Sequence, residues 1–159
     1  MHDEFKIYVD QLRNGHETII DEQLEPDFLD IQDQDLMFNK PVKLKGKAYV
    51  AEKELILHWD VKTEALVPCK ICNDLVSIDI QIEDLYFTKP LSEIKTGIFN
   101  FKDLLRETIL LEVPAFTECN GGNCLHRKEM KKYLKEKPTS SSKEDKSEYY
   151  QPFADLDLE

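Results

Sequence analysis

The sequence predicts an α+β protein: a central antiparallel β-sheet meander, a covering helix, a basic C-terminal helix and a flexible tail. Three observations predict it. Val42, Leu44, Gly46, Ala48 and Val50 alternate with Lys43, Lys45 and Lys47, which gives a strand with one wet side. The same period of two returns in Leu55, Leu57, Trp59, Val61, Thr63, Ala65 and Val67, and again in Val76, Ile78, Ile80 and Ile82. Near residue 100 the period changes, because Phe101, Leu104, Leu105 and Ile109 fall at helical spacing.

In chain order, Phe5, Ile7 and Val9 alternate with Lys6, Tyr8 and Asp10 and predict a short half-buried strand. Residues 11–35 carry no clear period; the segment from Asp21 to Ile31 is acidic, and Pro26 ahead of Asp27-Phe28-Leu29 suits the first position of a short helix. Ala51-Glu52-Lys53-Glu54 is a tight connection between the first two central strands, without the favoured Asn-Gly pair. Asn100 is a good cap for a helix starting at Phe101, and Pro114 stops it. A second, basic helix is expected from Leu125 to Lys137, with Met130, Tyr133 and Leu134 as its narrow apolar face and Pro138 as its end. The expected organisation is one globular domain over 1–137, a flexible linker over 138–148 rich in Ser, Lys and Glu, and a short motif over 149–159. That last segment restores Tyr149, Tyr150, Phe153, Leu156 and Leu158, so it either docks on its own domain or serves a partner.

The chain has 159 residues, of which 41% are hydrophobic and 33% charged, enough for one modest core under a highly charged surface. The net charge is -11. A uniformly acidic chain repels phosphate, and this argues against a general nucleic-acid binder. The charge is unevenly spread: residues 1–125 carry 13 Lys/Arg against 24 Asp/Glu, whereas 126–148 carry 8 against 5. Arg127, Lys128, Lys131, Lys132, Lys135 and Lys137 lie on neighbouring turns of the expected basic helix. They offer the sequence's plausible contact for phosphate or for an acidic partner; the alternative is a solvated helix face. The start, Met1-His2-Asp3-Glu4, lacks the positive charge of a secretory leader, and no apolar run suffices to span a bilayer. A cytoplasmic protein is expected, in which cysteines are reduced or metal-bound.

Four cysteines form two pairs, Cys69-x2-Cys72 and Cys119-x4-Cys124, with 46 residues between them. Zinc takes four tetrahedral ligands, and two short pairs can enclose it from two sides. Asn73 after the first pair and Gly121-Gly122 inside the second supply the positive φ that such loops need. The alternatives are one structural zinc on Cys69, Cys72, Cys119 and Cys124, or four reduced thiols. A redox C-x-x-C would open a helix, whereas this one lies between strands. His58 and His126 are each a substitute ligand or a solvated side chain. No nucleophile–base set and no phosphate-binding glycine loop is present, so no enzymatic activity is expected.

Three segments together resemble the YceD family. They are Leu66-Val67-Pro68-Cys69-Lys70-Ile71-Cys72, then Phe101 to Pro114 followed by Cys119 and Cys124, and then Gln151-Pro152-Phe153-Ala154-Asp155-Leu156, in that order. The resemblance runs from about residue 40 to the end. Asn123-Cys124-Leu125-His126 departs from the family's Cys-Gly type of ending. The resemblance implies a non-enzymatic bacterial or plastid accessory protein in ribosome biogenesis that supports accumulation of large-subunit (23S) ribosomal RNA. It implies ribosomal RNA or a ribosome-assembly protein as partner, with no membrane and no small-molecule substrate. A monomer is expected, with Phe153 as a binding residue of the tail. A protein–protein adaptor using the acidic body or tail is the alternative, and a thiol-redox protein is a more distant one.

Overall fold

A computed structural model describes residues 3–132. Six strands run in order: β1 (Lys6–Tyr8), β2 (Glu17–Leu24), β3 (Val42–Ala51), β4 (Glu54–Pro68), β5 (Leu75–Pro90) and β6 (Ile98–Asn100). Helix α1 (Lys102–Leu111) follows. Strands β2 to β5 form one antiparallel sheet in sequence order, and β1 pairs with β6 in a second, two-stranded sheet. The α+β class and the antiparallel meander are therefore present; the short β6 was not predicted, and the meander itself has one strand more than the alternation predicts.

That additional strand is β2. Its inward side holds only Ile20 and Leu24 as fully buried apolar groups, and Ile19 points outward at 72% exposure. Glu22 occupies the inward phase yet stays exposed at the sheet margin, so the period of two is masked. The predicted Phe5–Val9 strand shrinks to Lys6–Tyr8, because its partner β6 is only three residues long. Phe5 and Val9 belong instead to 3-10 turns on either side. Pro26 opens a 3-10 turn, Pro26–Leu29, at the expected place.

The inward phase of β3 and β4 supplies most of the core. Val42, Leu44, Ala48, Leu55, Leu57, Val61 and Ala65 are fully buried. Each large side chain so buried contributes about 1.5–3 kcal/mol. Trp59 packs against Phe101 with the rings tilted by 58° and their centroids 5.3 Å apart, and Phe101 meets Phe5 edge-on at 5.8 Å. Phe101 leads into α1, whose Leu105 and Ile109 complete the same cluster. The expected covering helix is thus in place. It starts at Lys102, one residue later than expected, with Phe101 in the N-cap position; the Asn100 side-chain oxygen, one residue before, accepts the Lys102 N–H at 2.9 Å. Arg106 Nε donates to Leu29 O at 2.6 Å and ties the helix to the 26–29 turn.

Strand β5 continues eight residues past the predicted Ile82, across a bulge. Trp59 pairs with Leu85 and Val61 with Ile82, so Asp60 faces both Glu83 and Asp84. Asp84 takes a positive φ of 53°, and its N–H is accepted by Asp60 Oδ1 at 2.8 Å. Beyond Lys62, β4 leaves β3 and continues with β5 as a two-stranded arm. Met37 seals the open side of β4 there, exchanging two backbone bonds with Leu66. The arm carries the first cysteine pair at its tip.

The basic helix is shorter than expected. Within the described residues it is one turn, Arg127–Met130, followed by a turn through Lys132. It begins at Arg127, after a turn through Leu125 and His126 that the Arg127 N–H closes on Cys124 O at 3.0 Å. Residues 133–137, with Tyr133, Leu134, Lys135 and Lys137, lie outside the described residues, as do the expected linker and the Phe153 motif. Among the described residues no helix is long and apolar enough to cross a membrane.

Candidate metal centre

Two turns bring four sulfurs together. At the tip of the β4–β5 arm, Cys69 N–H donates to Asp74 O at 2.8 Å, and Asn73 N–H donates to Cys69 O at 2.9 Å. Asn73 closes this knuckle at φ 64°, the left-handed conformation anticipated for it. Opposite it, the Cys119–Gly122 turn passes through three successive positive-φ residues, Asn120, Gly121 and Gly122. The Lys70 N–H donates to Thr117 O at 2.8 Å and staples one turn to the other through backbone alone.

One ligand atom from each of Cys69, Cys72, Cys119 and Cys124 lies within 4.8 Å of all the others. All four are free thiols; Cys69 and Cys124 are buried, Cys72 and Cys119 half-buried. Cys72 and Cys119 stand 3.7 Å apart at sulfur. A tetrahedral zinc with bonds near 2.3 Å places its thiolates about 3.8 Å apart, so this edge already has the required length. The soft, closed four-sulfur donor set suits zinc and leaves no open coordination position.

Backbone donors prepare the cluster for charge. Ile71 N–H and Cys119 N–H both point at Cys69 Sγ, each at 3.4 Å. Burial disfavours the Cys69 thiolate, but the N–H groups of Cys72, Cys119 and Ile71 outweigh it and lower this thiol to about 6. At Cys119 the neighbouring Cys124 sulfur and then burial push the thiol well above its ordinary value. At Cys72 the Asp74 N–H favours the thiolate, yet burial and the Cys69 and Cys124 sulfurs prevail and raise it. The Cys72 and Cys119 thiols thus resist ionising beside their sulfur neighbours, and a bound cation would favour their thiolate forms.

Glu118 supports the second turn. Its carboxylate accepts the Cys124 N–H at 2.8 Å and Arg127 Nε at 2.9 Å, and it also pairs with Arg127 Nη2. Its side chain is only 4% exposed. The Arg127 guanidinium and the Cys124 N–H hold its carboxyl below the usual range. Neither residue stands out in sequence as part of a cysteine site; a Glu directly before Cys119 and an Arg three residues after Cys124 were the available signals.

Arg127 is engaged by Glu118 through Nε and Nη2, with its side chain still 55% exposed. Lys128, Lys131 and Lys132 are exposed, while Lys135 and Phe153 lie outside the described residues. His58 sits far along β4, stacked on Tyr86 at 4.0 Å and bonded to Asp84 Oδ1. His126 lines a shallow surface depression with Ile71, Cys72, Glu129 and Met130, and Glu129 is its charged neighbour at 3.5 Å. Neither histidine belongs to the sulfur cluster. Compared with known proteins, the chain matches no family model, no curated protein and no solved structure.

Proposed function

We propose that the chain is a non-enzymatic accessory protein in ribosome biogenesis that works by binding, with one structural zinc clamping its scaffold. The observation that carries the reading is the convergence of Cys69, Cys72, Cys119 and Cys124 from two distant turns. Such a site fixes the tip of the β4–β5 arm to the segment after α1, and structural zinc commonly supplies much of a small domain's folding free energy. The resemblance of the cysteine segments, the α1 segment and the Pro-Phe-Ala-x-Leu segment to the YceD family supports a role in accumulation of large-subunit ribosomal RNA.

A second reading, a protein–protein adaptor, gains from the engagement of Arg127 by Glu118, which commits one cation of the basic stretch to the cysteine turn. The test is a native pull-down of the tagged protein with and without nuclease, with metal analysis of the same preparation. One zinc per chain and co-purifying large-subunit ribosomal RNA are the expected results. Metal-free protein from zinc-replete medium would refute the clamp. Retention of the same protein partners after nuclease would favour the adaptor.

A further inference from the structure

Strand β5 is an edge of the main sheet, and the hydrogen-bond pattern identifies which of its backbone groups are open. Cys69 N–H bonds to Asp74 O, and antiparallel bonding alternates from there. Val76, Ile78, Ile80 and Ile82 therefore bond to β4. Their neighbours Ser77, Asp79 and Gln81 aim N–H and C=O outward. Leu66, the register partner of Ser77, confirms the phase, since both of its backbone groups turn away from β5 to Met37. Past the bulge, Leu91 N–H bonds to Lys53 O and sets the same alternation, which leaves Tyr86 and Thr88 facing outward. Among the described residues no other strand pairs with this edge.

The side chains along the edge match one kind of occupant. On the core side Val76, Ile78, Leu85 and Phe87 are only half-buried, so an added strand would cover apolar surface. On the other side Asp79 and Glu83 are exposed, with Asp84 at the bulge, and β5 holds no cation before Lys89. An antiparallel second copy would set these acids against their own kind, which is unfavourable. We propose that β5 is a docking edge that takes an extended basic peptide, apolar and cationic at alternate positions, by strand addition. This rests on the reading of the protein as one that acts by binding, and it specifies the partner's chemistry.

The test uses the full chain and fluorescent peptides long enough to span β5. One alternates Lys with Val, one alternates Glu with Val, and one is the Lys-Val peptide N-methylated at every second residue. Binding is read by anisotropy and by amide chemical shifts. The Lys-Val peptide is expected to bind and to protect the Ser77, Asp79 and Gln81 amides from exchange; the other two are expected to bind at least about tenfold more weakly. Ser77→Pro with Gln81→Pro removes outward N–H groups and no β4 bond, and Asp79→Lys with Glu83→Lys reverses the charge. Each pair should lower affinity about tenfold or more at an unchanged hydrogen-exchange pattern elsewhere. Equal binding of the N-methylated peptide, shift changes away from β5, self-association through β5, or binding that appears only after removal of residues 133–159 would each overturn the proposal. Zinc content and ribosomal RNA recovery are measured separately, so failure here leaves the proposed function standing, and the reverse also holds.

Discussion

Gly46 lies directly opposite Trp59 across β3 and β4, and the Cα and Cβ of Trp59 press into the space that a side chain at Gly46 would need. A Cβ at Gly46 would stand 2.6 Å from both Cα and Cβ of Trp59 and would also strike the His58 carbonyl. These neighbours are backbone or tied to it, so they cannot move aside cheaply. Gly46→Ala is expected to destabilise by about 2–3 kcal/mol, an overpacking cost, despite the better strand propensity of alanine. Urea unfolding followed by Trp59 fluorescence measures it. A change below the error of the fit would show that β3 can separate from β4 at this point.

The sulfur cluster predicts a steep pH dependence for zinc binding. Metal needs thiolates, and the Cys72 and Cys119 thiols both sit above their ordinary value. Protons therefore compete with zinc, and affinity falls as pH falls. Because at least these two thiols must lose protons near neutrality, affinity should change by at least about two decades per pH unit. Competition with a chromophoric chelator across neutral pH reads this slope. Chelation should also lower the thermal midpoint, and Cys69→Ser or Cys124→Ser should reproduce that loss. A slope near zero would mean that the four sulfurs do not act as a joint ligand set.

Much of this architecture was legible in the sequence, for a physical reason. Strands β3, β4 and the first half of β5 each bury one face, so alternation records them directly. The cysteine spacing marked the cluster, and Asn73 and Gly121 marked its turns. What stayed hidden depends on partners distant in the chain. Strand β2 buries too few side chains to show a period, and it exists because β3 offers it a ladder from Leu24 to Glu17. The bulge at Asp84 depends on Asp60, 24 residues earlier. The engagement of Arg127 by Glu118 likewise converts an apparent surface cation into part of the cysteine scaffold.

Glu118 is expected to matter to metal retention without touching metal. Glu118→Ala leaves the Cys124 N–H and the Arg127 guanidinium without their acceptor, loosening the turn that carries two ligands. Supporting groups of this kind typically alter metal affinity about 10–100-fold, and a loss in that range is expected. The pH dependence has a definite sign. The folded carboxyl is held below its ordinary 4.5, so its stabilising effect is complete above that value and fades as pH falls through the depressed one. Wild type and Glu118→Ala should therefore differ in thermal midpoint at neutral pH and converge in acid. A constant gap across the range would mean that packing, not charge, is the contribution of Glu118.

The β3–β4 turn offers a gain in stability. Glu52 and Lys53 both take positive φ, 49° and 67°, which are the conformations of a two-residue type I′ hairpin turn. Side chains with a Cβ are strained there, roughly 1 kcal/mol at each position, and Asn and Gly are the residues that relieve it. Both side chains are exposed, and neither takes part in the core or the sulfur cluster. Glu52→Asn with Lys53→Gly should stabilise the fold by about 1 kcal/mol, less than the summed strain because glycine adds freedom to the unfolded chain. Chemical denaturation at fixed metal loading tests it, with metal affinity expected unchanged. Destabilisation would show that the Lys53 carbonyl, which accepts the Leu91 N–H at 2.9 Å, depends on the native turn geometry to hold the end of β5.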